Sequence, residues 1–169
     1  MSSSDRRKFL ARAAAIGCTL PLAGCFRPML AEESSASDLR GRISFPAVGD
    51  RLSYHLYQSL ESQLGTPQGP DWELKVSLRT RERGLAIEQD NTITRISIRI
   101  TADWAVFRKG DPNPVTKSRT FSESGFNSTE SLYASREARL DVERRIVRDL
   151  GHRISRSVLA RADTILKSA

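Results

Sequence analysis

From Ile96 to Val106 the chain alternates. Ile96, Ile98, Ile100, Ala102, Trp104 and Val106 share one side, and Arg95, Ser97, Arg99, Thr101 and Asp103 share the other. A period of two sustained over this length specifies a β-strand with one buried and one wet face. Trp72, Leu74, Val76 and Leu78 alternate in the same way with Glu73, Lys75, Ser77 and Arg79, and Gln89-Asp90-Asn91 supplies a turn before the second run. The two segments therefore pair as a long antiparallel hairpin. Gly110-Asp111-Pro112-Asn113-Pro114 is a further turn, and Val115 to Phe126 reads as a third, more polar strand.

Two amphipathic helices accompany these strands. Gly49-Asp50 offers an N-cap to a helix from Arg51 to Leu64, in which Val48, Leu52, Leu56, Leu60 and Leu64 recur every four residues with Tyr57 beside them, and Gly65 and Pro67 end it. From about Thr129 to Lys167 there is no proline, and Ile146, Leu150, Ile154 and Val158 repeat every four residues, so one long helix is predicted with only Gly151 interrupting. Its other faces carry Arg139, Arg144, Arg145, Arg148, Arg153, Arg156 and Arg161, partly balanced by Asp141, Glu143 and Asp149, and solvated ion pairing is the plainer account of these arginines with a binding role as the alternative. A short edge strand, broken by Pro46, fits Ile43 to Val48. Burying one face of each strand and one stripe of each helix requires an α+β fold, with two helices packed on one face of a roughly four-stranded, mainly antiparallel sheet. The other face of the sheet is left polar and charged.

The amino terminus is organised differently. Arg6-Arg7-Lys8 leads into the apolar stretch Ala13 to Leu22, which closes on Leu22-Ala23-Gly24-Cys25. This is the three-part layout of a signal peptide, and its apolar part, about ten residues long, spans about 15 Å as a helix, half of a bilayer's hydrocarbon. Leu-Ala-Gly-Cys in that position resembles the bacterial lipobox, which implies diacylglycerol attachment at Cys25, cleavage before it and acylation of the new amino terminus. Several acyl chains make such anchoring stable, whereas one is marginal. The domain plan that follows is a lipoprotein signal peptide over 1–24, a lipidated tether over 25–42 and a single domain over 43–169. Cys18 leaves with the signal and Cys25 is consumed by lipid, so no thiol chemistry or disulfide remains.

Of the 27 basic and 20 acidic side chains, four and one fall within the first 24 residues, so the remaining chain carries a modest +4. Histidine occurs only at 55 and 152, and no nucleophile elbow, phosphate-cradling loop or dinucleotide fingerprint is present. The chain is read as a non-enzyme without a metal or cofactor other than the covalent lipid on Cys25. Export removes it from nucleic acid, so an anionic lipid is the better partner for its positive charge. Arg79, Arg81, Arg83, Arg95 and Arg99 fall on or near the polar side of the sheet, where guanidinium groups can bond phosphate in bidentate fashion. The competing account is that they keep an antiparallel face wet.

Five stretches resemble the LPS-assembly lipoprotein (LptE) family in its alphaproteobacterial form. Cys25-Phe26-Arg27-Pro28-Met29-Leu30 is similar to that family's Cys-Gly-Phe-Arg-Pro-Leu-Tyr, lacking its glycine and replacing Leu-Tyr by Met29-Leu30. Arg51-Leu52 opens a helix that ends at Gly65, Trp72 to Leu78 resembles the family's first long strand, and Thr94-Arg95 opens its second. Ser131-Leu132-Tyr133-Ala134, followed by Asp141, Arg144, Arg145, Arg148, Leu150 and Ile154, matches the start and register of its last helix. The resemblance implies a lipoprotein of the outer membrane's periplasmic face that plugs and helps assemble the LptD β-barrel and assists lipopolysaccharide delivery to the cell surface. It makes the five arginines candidates for lipopolysaccharide binding. The alternatives are a lipid-anchored periplasmic binding module of another envelope transport system, which requires a concave apolar pocket, and an anchored hydrolase using exposed carboxylates.

Overall fold

The computed structural model describes residues 34–87, 93–129 and 131–168. Its elements run α1 (Ser35–Leu39), β1 (Ile43–Ser44), α2 (Arg51–Leu64), β2 (Trp72–Ile87), β3 (Ile93–Arg108), β4 (Pro114–Asn127), α3 (Leu132–Leu159) and α4 (Ala162–Leu166). The sheet has the order β1-β2-β3-β4, with β1 parallel to β2 and the remaining pairs antiparallel. The helices cover one face, so the α+β architecture read from the sequence is the one observed.

Register explains which side chains meet. Leu74, Val76 and Leu78 lie opposite Val106, Trp104 and Ala102, and Ile96, Ile98 and Ile100 lie opposite Phe126, Ser124 and Ser122. These positions face the helices, and Leu74, Ile98, Ile100, Ala102, Trp104 and Val106 are buried against Leu56, Leu60 and Leu64 of α2 and Ile146, Leu150, Ile154 and Val158 of α3. Burial of this apolar surface is the main stabilising term.

Strand β2 continues to Ile87, well past Leu78, where the apolar alternation stops. Its helix-facing positions there are Thr80, Glu82 and Gly84, opposite Ile100, Ile98 and Ile96. Glu82 is paired with Arg139 of α3, so an ion pair replaces apolar packing at this end. The turn assigned to Gln89-Asp90-Asn91 lies outside the described residues, as do Cys25 and the signal and lipid features.

Four details correct the sequence reading. The long carboxy-terminal helix is broken at Ala160 and Arg161, because Arg161 leaves helical geometry (ψ 15°) and so turns Ala162 and Ile165 of α4 into the core beside α1. Helix α1 lies within the segment read as tether. It is only five residues long, too short to show a period, yet it buries Ala36 and Leu39. Val48 precedes α2 and is 43% exposed, outside the stripe assigned to it. Glu143, read as a solvated balancing charge, is buried, with Arg51 of α2 at 2.8 Å and Arg139 at 3.1 Å. Asp141 and Asp149, in contrast, form exposed pairs with Arg145 and Arg153.

The two main helices are held close by particular residues. Asp50 caps α2 by accepting from Ser53 N (3.0 Å) and Ser53 Oγ (2.6 Å), and its carboxyl is held below the usual carboxylate range chiefly by the Ser53 hydroxyl. Tyr57 reaches from α2 to accept the backbone N–H of Val76 in β2 at 3.3 Å, and burial raises its phenol pKa. Gly151 of α3 sits directly against Ser59 of α2. A Cβ built on Gly151 lies 2.7 Å from Ser59 Cβ, and only glycine admits this approach.

Candidate functional site, the open face of the sheet

The odd-numbered positions of β2 and β3 point away from the helices, since their even-numbered neighbours fill the core. Arg79, Arg81, Arg83, Arg95 and Arg99 therefore all stand on the uncovered face, and each is exposed. They fall into distinct settings.

Arg81, Arg83 and Arg99 come together. Arg81 lies opposite Arg99 across the β2–β3 ladder, Arg83 opposite Ser97, and Glu123 of β4 opposite Arg99. With Glu82, Ser97 and Glu123 these arginines line a cleft of about 130 Å³. Glu123 accepts from Ser97 Oγ at 2.6 Å and from Arg99 Nε at 2.7 Å, and the Ser97 hydroxyl first, then Arg99, keeps its carboxyl below the usual range. Ser97 is only 4% exposed although it lies on the solvent side, because these longer side chains cover it. Directly opposed like charges are unfavourable in a sheet. Glu123 relieves Arg99, while Arg81 has no side-chain partner among the described residues.

Arg79 is engaged differently. It pairs with Asp103, which also pairs with Arg119 of β4. The hydrogen bond from Arg119, with Arg79 adding its charge, holds the Asp103 carboxyl below its ordinary range. Two cations share one carboxylate, so this part of the face also keeps a positive excess. Arg95 stands apart from the cleft, and its Nε is 3.8 Å from where a Cβ on Gly125 would lie.

Beyond Asp103 the same face forms a shallow hollow of about 640 Å³, with Lys75, Ser77, Ala105, Phe107, Lys117 and Arg119 on its walls. Lys75 Nζ stacks over Phe107 at 5.0 Å, and the Arg99 guanidinium over Phe121 at 4.9 Å. The sequence reading did not single out Lys75, Lys117, Arg119, Phe107 or Phe121. The signal for Lys117, Arg119 and Phe121 was present in the odd-position alternation of β4, and Lys75 stands in the polar alternation of β2. The chemistry available here is that of binding, with guanidinium forks and ammonium groups beside aromatic rings that suit a phosphorylated or carboxylated amphiphile.

Among the described residues there is no group of three or more His, Cys, Asp or Glu placed to hold a metal ion, and no helix is long and apolar enough to cross a membrane. His55 and His152 lie on the helical layer, away from this face.

No protein-family model matches the chain, and no curated protein sequence matches it. Solved structures do. A lipoprotein from Caulobacter crescentus shares 24% identity over 75% of this chain and 93% of its own, with a TM-score of 0.59. A minor lipoprotein from Acinetobacter baumannii shares 16% over 70% and 88%, with a TM-score of 0.54. The rare lipoprotein B from Shewanella oneidensis shares 14% over 74% and 96%, with a TM-score of 0.53. The chain thus shares its fold with bacterial lipoproteins.

Proposed function

We propose that this chain is a lipid-anchored lipoprotein of the outer membrane's periplasmic face that plugs and helps assemble the LptD β-barrel and assists lipopolysaccharide delivery. The observation that carries this reading is the open sheet face. An entire side of the sheet, from Lys75 to Arg99, is left uncovered by helices and is lined by cations that outnumber their carboxylates. Such a face meets a wet, polar barrel wall without burying unpaired apolar surface, and its guanidinium groups match the phosphates of a glycolipid. The fold shared with three bacterial lipoproteins supports an envelope role, and the Leu22 to Cys25 segment supplies the anchor. The role is one of binding and assembly and calls for no catalytic group.

Co-purification from detergent tests the reading. Tagged protein is expected to retain a large outer-membrane β-barrel, and recovery without any barrel refutes the plug role. Arg83→Glu with Arg99→Glu should weaken binding to immobilised lipopolysaccharide at least tenfold, against little change for Arg145→Glu with Arg153→Glu on the helical side. Equal loss from both pairs removes the sheet face as the lipid-facing one.

A further inference from the structure

On the side of the molecule opposite the open sheet face, α2 and α3 run alongside one another and are drawn together where Gly151 meets Ser59. Ser59 Oγ donates to the carbonyl of Arg148 at 3.3 Å, fixing the register of the two helices. Beside this point lies a groove of about 450 Å³, lined by His55, Gln58 and Ser62 from α2 and by Arg144, Arg148 and His152 from α3. Helical spacing puts them there. Arg144, Arg148 and His152 recur every four residues on one face of α3, and His55, Gln58 and Ser62 recur at three and four on one face of α2.

Among the described residues, no carboxylate lines this groove. The acidic side chains of this part of α3 are committed elsewhere, Asp141 to Arg145, Glu143 to Arg51 and Arg139, and Asp149 to Arg153. Arg144 Nε donates to the Leu140 carbonyl at 3.3 Å, leaving the outer edge of its guanidinium available. Arg148 has no side-chain partner among the described residues. Two guanidinium groups one helical turn apart repel each other, and nothing in the groove offsets them. The lining is therefore rich in donors and positive charge in a concave setting, the complement of a group carrying several acceptor oxygens and a double negative charge.

We propose that the α2–α3 groove binds a phosphoryl group, carried either by a soluble phosphate ester or by a phospholipid headgroup, through Arg144 and Arg148 with Gln58 and the two histidines around it. This site is separate from the sheet face and stands whether or not that face meets lipopolysaccharide.

The test is a titration of the isotopically labelled full chain in detergent with inorganic phosphate at constant ionic strength, following the imidazole resonances of His55 and His152. Saturable shifts of both are expected. Arg144→Gln with Arg148→Gln should weaken binding at least tenfold, and Arg40→Gln with Arg108→Gln, at exposed positions that line neither this groove nor the cleft of the sheet face, should leave it unchanged. A parallel titration with phosphatidylcholine vesicles, with and without phosphatidic acid, separates the sources. Response to phosphate alone assigns a soluble ester, and response to the phosphatidic acid vesicles assigns a headgroup. Should the double variant fail to fold, Arg148→Lys carries the test, because it keeps the charge and loses the fork, and about threefold weaker binding is expected. Absence of a saturable shift with either probe, unaltered binding in the variant used, or equal loss from both arginine pairs overturns the proposal.

Discussion

The contact between Gly151 and Ser59 allows a sharp test of how the helical layer is built. Replacing Gly151 by alanine in a helix interior is, by itself, stabilising by about 1 kcal/mol. Here the added Cβ would lie 2.7 Å from Ser59 Cβ and closer still to its Oγ. Carbon atoms rest at about 3.5–4.0 Å, so the helices would have to separate by roughly 1 Å. Overpacking of this kind costs about 1–3 kcal/mol, and the separation also strains the Ser59 to Arg148 hydrogen bond, which contributes about 1 kcal/mol. The strain outweighs the helical gain, and Gly151→Ala is expected to destabilise by about 1–2 kcal/mol. Ser59→Gly removes both obstructing atoms, leaving the Leu56 carbonyl at an ordinary 3.6 Å as the next neighbour. In that background Gly151→Ala should stabilise by about 1 kcal/mol. Urea unfolding of the four proteins of this cycle, with midpoints extrapolated at a common slope, measures the coupling directly. If Gly151→Ala has the same sign in both backgrounds, close helix approach is not the reason for glycine at this position.

Asp50→Ala should cost about 1 kcal/mol at neutral pH through loss of the α2 cap. Because the Asp50 pKa is depressed in the folded state, its contribution is present above the ordinary carboxylate pKa and is lost as pH falls through the lower folded value. The stability gap between wild type and variant should therefore close in acid, as thermal melts across that range will show. Tyr57→Phe removes the acceptor of the Val76 N–H and should cost about 1 kcal/mol, with faster hydrogen exchange at that amide. Glu143→Ala leaves Arg51 and Arg139 without their buried partner and should destabilise by about 1–3 kcal/mol, more than Asp149→Ala, whose pair with Arg153 is exposed. Cys25→Ala should move the protein from the membrane to the soluble fraction, and its retention in the membrane pellet would count against a lipid anchor at that residue.

Much of the architecture follows from the sequence alone, because the periods of its apolar residues are long and regular. Six alternating apolar residues from Ile96 to Val106 determine a strand and its buried side, and Leu52, Leu56, Leu60 and Leu64 determine a helix and its stripe. The same alternation places Arg79, Arg81, Arg83, Arg95 and Arg99 on the opposite, solvent side. Period reports only which way a side chain points. It does not say what stands across from it, and that was decided by tertiary structure. Register puts Arg81 against Arg99 and brings Glu123 to Arg99, while two arginines on different strands share Asp103. Helix packing turned Gly151 from an apparent interruption into the point of closest approach, and enclosed Glu143 between cations from two helices. The short elements α1, β1 and α4 have too few residues to show a period. They exist because Leu39, Ile43 and Ile165 find a core already assembled by the longer ones, so their stability is supplied by contacts distant in the chain.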